Sequence, residues 1–176
     1  MNSAASILVG VTNRVVHVKV EGKGSFQNSP ALKEFFKEML DRGQRTFVVD
    51  LDHCPVMDST FMGTLAGLAL RLRENGEGCM LVSNVNERNY DLLRNLGLNN
   101  LFDIESKESH PIDNEGSMKE GVSSAPLEPD HLIGRSDQAE CMIEAHEALV
   151  NADPENLARF KDVLEYLKQD LRAASK

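Results

Sequence analysis

An acid and two hydroxyl residues follow one another where an apolar run gives way to a helix-like stretch. They are Asp58, Ser59 and Thr60, within PVMDSTFMG at positions 55–63. Asp58 is a good helix N-cap because its carboxylate can accept a hydrogen bond from a first-turn amide, and the two hydroxyl residues are tolerated in the first turn. A helix N-terminus is also a favourable place for a phosphate, because free amides and the helix dipole stabilise negative charge. The triplet therefore predicts either a plain helix start or a phosphorylation site, and local physics alone leaves both open.

Two further acids lie just upstream, where FVVDLD places Asp50 and Asp52 at the end of an apolar strand. This D-x-D resembles the first motif of haloacid-dehalogenase-type phosphatases, in which two aspartates act as nucleophile and acid beside Mg²⁺. His53-Cys54 stands where that family prefers small residues and a hydroxyl, and no later acidic pair completes a metal site. Polar acids at a strand end are the favoured interpretation. An Asp50-dependent phosphatase or phosphotransferase is retained as an alternative.

The remaining chemistry-bearing residues form no recognisable site. The histidines have no metal-ligand spacing, and no glycine-rich loop follows a strand in the phosphate-binding pattern. The three cysteines, Cys54, Cys79 and Cys141, are scattered and odd in number, which is typical of reduced cytosolic thiols. We therefore predict a non-enzymatic protein with no catalytic residue, no metal and no cofactor.

Composition excludes several classes of partner. The formal net charge is −9, most of it after residue 104, and no basic stripe is present. Such a chain is a poor ligand for nucleic acid or anionic membranes. No apolar run is long enough to span a bilayer, and the first residues lack the basic and apolar regions of a signal peptide. These features predict a cytoplasmic protein.

The first hundred residues alternate strand-like and helix-like patterns. Two β-rich runs, 6–12 and 15–21, predict a hairpin, with Val16, Val18 and Val20 on one face. Helices are predicted over 28–43, 59–76 and 86–97, and further strands over 45–51, 79–84 and 101–105. This β-β-α-β-α-β-α-β order predicts an α/β fold with a mixed, largely parallel sheet. Small residues on the second helix, Gly63 and Gly67 among them, predict close packing there.

The chain divides into three parts. Residues 1–104 are the predicted α/β domain, and 105–135, rich in Ser, Gly, Pro and charge, are a predicted flexible linker. Residues 136–176 are predicted to form a helical hairpin whose second helix carries an apolar stripe of Leu157, Phe160, Leu164, Leu167 and Leu171. Two such helices are too small to fold alone. They must pack on the first domain, on a second copy of the chain through 136–173, or on another protein.

The run from RTFVVDL through the M-D-S-T junction to LLRNLGLNNLFDI resembles the STAS domain of bacterial anti-sigma-factor antagonists. With the hairpin and the NSPALKEFF helix, the resemblance covers residues 6–104. It implies a STAS-like fold, with Ser59 as the serine that an anti-sigma-factor serine kinase phosphorylates and a PP2C-type phosphatase restores. Asp58 matches the family's acid and is predicted, with Phe61 and Met62, to bind the partner beside the switch. Thr60 is the second choice of acceptor.

The resemblance also implies how such a protein works. The unphosphorylated antagonist binds the anti-sigma factor and frees the sigma factor, so the chain would be a partner switch in transcription regulation. STAS domains also occur in other assemblies, and fold alone does not fix function. A STAS scaffold or ligand-sensing module without a phosphoswitch therefore remains the main alternative.

Overall fold

The structure is a computed structural model, and it describes residues 5–76, 78–108, 125–127 and 134–174. The strands are β1 (Ser6–Thr12), β2 (Val15–Glu21), β3 (Thr46–His53), β4 (Cys79–Val85), β5 (Asp103–Ser106) and β6 (Ala125–Pro126). The helices are α1 (Ser29–Asp41), α2 (Ser59–Glu74), α3 (Glu87–Asn95), α4 (Arg135–Ala152) and α5 (Asn156–Ala174), with a short 3-10 turn at Leu98–Asn100. None of the helices among these described residues is both long and apolar enough to cross a membrane.

A single six-stranded sheet, in the order β5-β4-β3-β2-β1-β6, organises the first domain. Strands β2, β3, β4 and β5 run parallel to one another, and β1 pairs antiparallel with both β2 and β6. This confirms the predicted α/β class with a largely parallel sheet. The carboxyl ends of β2 and β3 reach the same edge of the sheet, and the loops that follow them bring the predicted site together.

The β1–β2 hairpin forms where the sequence predicts it, although its turn lacks the usual glycine. Asn13 and Arg14 occupy the turn with φ of 52° and 65°. Positive φ at both central residues is the requirement of a type I′ turn, whose twist matches the flanking strands. Val16, Val18 and Val20 are buried, as their alternation predicts.

The core lies between the sheet and the helices that cross it. It combines strand residues such as Phe47 and Val49 with α1 and α2 residues such as Phe36 and Leu65. Phe36 and Phe47 meet edge to face, with ring centroids 5.8 Å apart. Leu149 of α4 is fully buried in the same cluster, so the C-terminal hairpin packs on the first domain.

Most of the predicted linker, 105–135, lies outside the described residues, and its flexibility stays a prediction. Residues 105–108, 125–127 and 134–135 of it are described. Strand β5 continues past residue 104 and ends at Ser106. Strand β6 pairs with β1, with Ala125 opposite Val9 and Pro126 opposite Leu8. The amide of Leu127 also donates to the carbonyl of Ile7 at 2.7 Å.

Truncation of Phe47 tests the position of the core. We expect Phe47→Ala to lower the free energy of unfolding by about 3–5 kcal/mol, because it removes a fully buried ring and leaves a cavity. Phe26→Ala is the matched control, since that ring is exposed in the β2–α1 loop and its loss should change stability little. Urea denaturation measures both, and equal losses in the two variants would contradict this core.

Candidate functional site

Two loops are joined at the sheet edge by main-chain hydrogen bonds. They are residues 22–28, between β2 and α1, and residues 54–58, between β3 and α2. The amide of Gly24 donates to the carbonyl of Val56 at 3.0 Å, and the amide of Asp58 donates to the carbonyl of Gly24 at 2.9 Å. Gly24 is required for this approach, because a Cβ there would lie 2.7 Å from the Phe61 ring. The two loops therefore behave as one platform.

Asp58 holds the platform and the start of α2 together. Its Oδ1 accepts a hydrogen bond from the amide of Phe61 at 2.9 Å, which is the N-cap bond that the sequence predicts. Its Oδ2 accepts from the amide of Phe26 in the other loop at 2.8 Å. One carboxylate thus satisfies a first-turn donor of α2 and a donor of the neighbouring loop, which fixes where Ser59 begins the helix.

The two hydroxyl residues occupy different environments. Ser59 is half-buried at the first position of α2, and its Oγ faces His146 of α4. Thr60 is only 5% exposed. Of the two predicted acceptors, Ser59 is the nearer to the surface. Its phosphorylation, like that of Thr60, stays a prediction.

The predicted partner-binding residues lie mostly beneath the surface in this conformation. Phe61 is fully buried against Gly24, and Met62 is 4% exposed. Both belong to the main hydrophobic cluster. Of the residues predicted around the switch, Asp58 and Ser59 are the two that are not fully enclosed, and binding by this set stays a prediction.

A residue that the sequence did not single out for this site lies against Ser59. His146 of α4 places its Nε2 3.0 Å from Ser59 Oγ, and its Nδ1 lies 2.6 Å from the carbonyl oxygen of Met142. The carbonyl can only accept, so Nδ1 carries a hydrogen, and in the neutral ring Nε2 accepts the Ser59 hydroxyl. The ring also meets Phe160 of α5 in an edge contact, with centroids 5.2 Å apart. His146 is buried and locked in this orientation.

The hairpin approaches α2 closely because α2 presents small residues to it. A Cβ added to Gly63 would collide with the backbone carbonyl of Ala145, whereas one added to Gly67 would lie 3.9 Å from the Ala148 Cβ. On α1, Lys33 forms an ion pair with Glu144 of α4. The turn between α4 and α5 is anchored separately, where Asn156 Nδ2 donates to the carbonyls of Leu96 at 2.9 Å and Leu149 at 2.7 Å.

The predicted D-x-D acids are placed as structural groups. Asp50 is buried, and its Oδ1 accepts from the amide of Asp52 at 2.9 Å and from Asn84 Nδ2 of β4 at 3.0 Å. Asp52 is partly exposed and pairs with Lys107 Nζ at 2.9 Å, which lowers the pKa of the Asp52 carboxyl. In the parts of the chain that the structure describes, no group of three His, Cys, Asp or Glu side chains is arranged to hold a metal ion.

The predicted self-association of the hairpin through 136–173 stays a prediction. The stripe on α5 buries Leu164 and Leu167 against Ile143 of α4 in a small cluster of their own. Leu157, which belongs to the same predicted stripe, is half exposed instead. Val163 and Tyr166 are also exposed on α5.

Comparison with known proteins agrees with this architecture. The sequence matches the STAS domain family over residues 6–110. That match covers more than half of the chain, so the protein belongs to the STAS domain family, as the resemblance of the M-D-S-T junction and its flanking elements predicts. No curated protein sequence matches the chain significantly.

Solved structures show the same fold at low identity. The crystal structure of TM1081 from Thermotoga maritima, a candidate anti-sigma factor antagonist, is 18% identical with a TM-score of 0.52, and the alignment covers 57% of this chain and 86% of that one. The NMR structure of TM1081 gives 20% identity and a TM-score of 0.51, over 63% and 88% of the two chains. The unphosphorylated anti-sigma factor antagonist SpoIIAA aligns at 19% identity over 62% of this chain and 96% of its own, with a TM-score of 0.49.

Replacing Asp58 tests the platform. We expect Asp58→Ala to lower the free energy of unfolding by about 1–2 kcal/mol, because the Phe61 amide loses its cap and the Phe26 amide loses its acceptor. Asp58→Asn keeps one carbonyl oxygen, so its free energy of unfolding should lie between those of the wild type and Asp58→Ala. Asp91→Ala on the exposed side of α3 is the control and should change stability by less than about 0.5 kcal/mol. Chemical denaturation distinguishes these cases, and an unchanged midpoint in Asp58→Ala would refute the role of the carboxylate.

A double-mutant cycle tests the contact between Ser59 and His146. Ser59→Ala removes the hydroxyl, and His146→Phe keeps a ring beside Phe160 while removing the nitrogens. We expect the two changes to be non-additive by about 0.5–1.5 kcal/mol, the usual net contribution of one hydrogen bond. His146→Phe also removes the bond to the Met142 carbonyl, in the single and in the double variant alike, so this loss cancels in the coupling energy. Additive effects would mean that the two side chains do not interact in solution.

Proposed function

We propose that this protein is an anti-sigma-factor antagonist that acts as a phosphorylation-controlled protein-binding switch. Its unphosphorylated form binds an anti-sigma factor that is itself a serine kinase, and Ser59 is the regulated residue. A PP2C-type phosphatase resets the switch. The observation that carries the proposal is the placement of Ser59, half-buried at the first position of an α2 helix capped by Asp58, in a STAS domain.

The geometry of the junction supports Ser59 over its neighbour. Ser59 is half-buried, and its hydroxyl contacts His146 of α4. Thr60 is buried, and its carbonyl accepts from Thr64 Oγ1 at 2.9 Å within α2. A kinase would have to unwind the first turn of α2 to reach Thr60, so Thr60 is the second choice of acceptor.

The chemistry of the switch requires no catalytic group of this chain. The kinase would transfer the γ-phosphoryl group of ATP to Ser59 Oγ, whose proton goes to the kinase, and ADP would leave. Hydrolysis by the phosphatase would return the hydroxyl and inorganic phosphate. The chain supplies an acceptor that is held in place.

Phosphate at this position would change the surface strongly. It adds about −1.5 to −2 charges at pH 7 and three acceptor oxygens. The N-terminus of α2 would stabilise that charge through its dipole and first-turn amides. Because Asp58 is already negative beside it, a partner surface shaped for a neutral hydroxyl would meet repulsion. A loss of about 1–3 kcal/mol weakens binding roughly 5- to 150-fold, which is enough for a switch.

The other predicted switch residues fit a supporting part in this proposal. Asp58 sets the height and direction of Ser59 through its two amide contacts. Phe61 and Met62 lie under the platform and would give the partner a rigid surface rather than protruding anchors. The proposal places the protein in the cytoplasm, where sigma factors act. The net charge of −9 disfavours nucleic acid as a direct partner.

Charge at Ser59 should separate the switch from a constitutive scaffold. We expect Ser59→Asp to bind the cognate anti-sigma-factor kinase at least about fivefold more weakly than Ser59→Ala does, because both variants lose the hydroxyl and only the aspartate adds charge. Ser136→Asp, an exposed serine in the first turn of α4, adds the same charge elsewhere and should have no effect. Titration calorimetry with each purified anti-sigma-factor kinase of the source organism measures this. Equal binding by Ser59→Asp and Ser59→Ala would favour a STAS module without a phosphoswitch.

Phosphopeptide mapping of the protein from its native cells tests the modification itself. We expect Ser59 to carry phosphate at an occupancy that changes between growth conditions. Absence of phosphate at Ser59 in every condition would return the junction to a plain helix start.

A further inference from the structure

The α2 face that carries Ser59 already has an occupant. Ser59, Gly63 and Gly67 are spaced four residues apart and form a narrow stripe of small side chains along α2. Helix α4 lies on this stripe, with His146 at Ser59, Ala145 at Gly63 and Ala148 at Gly67. The stripe admits a helix backbone at close range, because at Gly63 not even one methyl group would fit.

The attachment of α4 to this face rests on few polar contacts. They include the hydrogen bond between Ser59 and His146, the ion pair between Lys33 and Glu144 and, at the turn of the hairpin, the bond from Asn156 to the carbonyl of Leu96. Glu144 is half exposed, and ion pairs at the surface contribute little to stability. The hydrophobic contribution is divided, because Ala148 and Leu149 join the main cluster whereas Ile143 packs with α5.

The packing under α4 is also incomplete. A cavity of about 60 Å³ lies between α1, α2 and α4. Its lining includes Phe36 of α1, Gly63 and Leu68 of α2, and Cys141 of α4. The pocket is partly open to solvent, so α4 does not contact α1 and α2 at every point of this interface.

We propose that the α4–α5 hairpin is a lid that occupies the α2 face of the STAS domain, and that a protein reaches Ser59 only when the lid has left. The part that concerns kinase and partner rests on the proposed function, whereas the existence of the lid does not. The occupant also indicates what the face accepts. A partner that replaces α4 presents a helix with a small side chain at Gly63, an acceptor for the Ser59 hydroxyl and an acid for Lys33.

The lid lowers the apparent affinity of every such partner. If only a fraction of molecules is open, the apparent dissociation constant rises by the inverse of that fraction. By the same linkage, a bound partner keeps the lid open. The position of the lid is thus a second input to the switch, independent of phosphate.

The three cysteines provide reporters for the lid. Cys79 is exposed, and Cys54 is 1% exposed in the main core. Cys141 is 5% exposed and lies on the side of α4 that faces α1 and α2. Burial raises the pKa of the Cys54 and Cys141 thiols, so both react slowly while they are covered. Cys141 therefore reports lid opening, Cys54 reports unfolding of the domain, and Cys79 gives the reference rate.

Alkylation of the full-length chain with N-ethylmaleimide, followed for each cysteine peptide by mass spectrometry, tests the lid. Gly63→Ala should speed Cys141 modification about tenfold or more, because the new methyl group forces the Ala145 backbone away. Gly67→Ala is the matched control, since it adds the same methyl group to the same helix with ordinary contact at Ala148. The Cys54 rate should equal that of the wild type in both variants.

Three results would overturn the lid. Cys141 could react at the wild-type rate in Gly63→Ala, which would mean that the contact does not hold α4. Cys141 and Cys54 could accelerate together, which would mean that α4 leaves only when the domain unfolds. Gly67→Ala could match Gly63→Ala, which would remove the role of the close approach.

Phosphate occupancy in native cells separates this proposal from the proposed function. We expect more Ser59 phosphate in Gly63→Ala than in Gly67→Ala under the same growth condition. Selective Cys141 acceleration without Ser59 phosphate in any variant would uphold the lid and reject the phosphoswitch. Unchanged Cys141 rates together with regulated Ser59 phosphate would reject the lid and uphold the phosphoswitch.

Discussion

The position of the site depends on the carboxylate of Asp58. Its two oxygens accept one amide from the β2–α1 loop and one from the first turn of α2, and its own amide is bound by Gly24. An N-cap usually serves one helix, but here the same residue also sets the distance between two loops that follow different strands. These hydrogen bonds therefore fix the position of Ser59 relative to both loops, and the backbone around it is ordered without a partner. Such preorganisation reduces the ordering cost of binding.

The first domain could be predicted from its sequence because its signals are local. Alternating valines in β2, apolar helix faces and glycines at helix ends each act within a few residues. Gly43, Gly76 and Gly97 all adopt positive φ after α1, α2 and α3, as the sequence pattern suggests. The Asp58 cap is equally local, since its donor is three residues away. For these features, the sequence spacing and the physical contact coincide.

The contact that closes the site has no local signal. Ser59 and His146 are separated by 87 positions, and the chain between them includes the predicted linker. Nothing in the neighbourhood of His146 distinguishes it from a histidine on any amphipathic helix. Strand β6 escaped prediction for a related reason, because two residues paired to a sheet edge leave no periodicity to detect. The small residues of α2 were the one usable indication, and they predicted close packing without identifying what packs there.

The route of the chain back to the site has a consequence for competition. β6 returns the polypeptide to the β1 edge of the sheet, and α4 begins at Arg135, a few positions after Leu127 in the sequence. A short tether keeps a detached segment near its binding face at an effective concentration on the order of millimolar. Under the lid proposal, a free partner at far lower concentration would therefore have to bind the α2 face much more tightly than the tethered α4 does. The length of the tether would set the partner concentration needed to displace α4. Lengthening or shortening it would change that concentration without changing the binding surface.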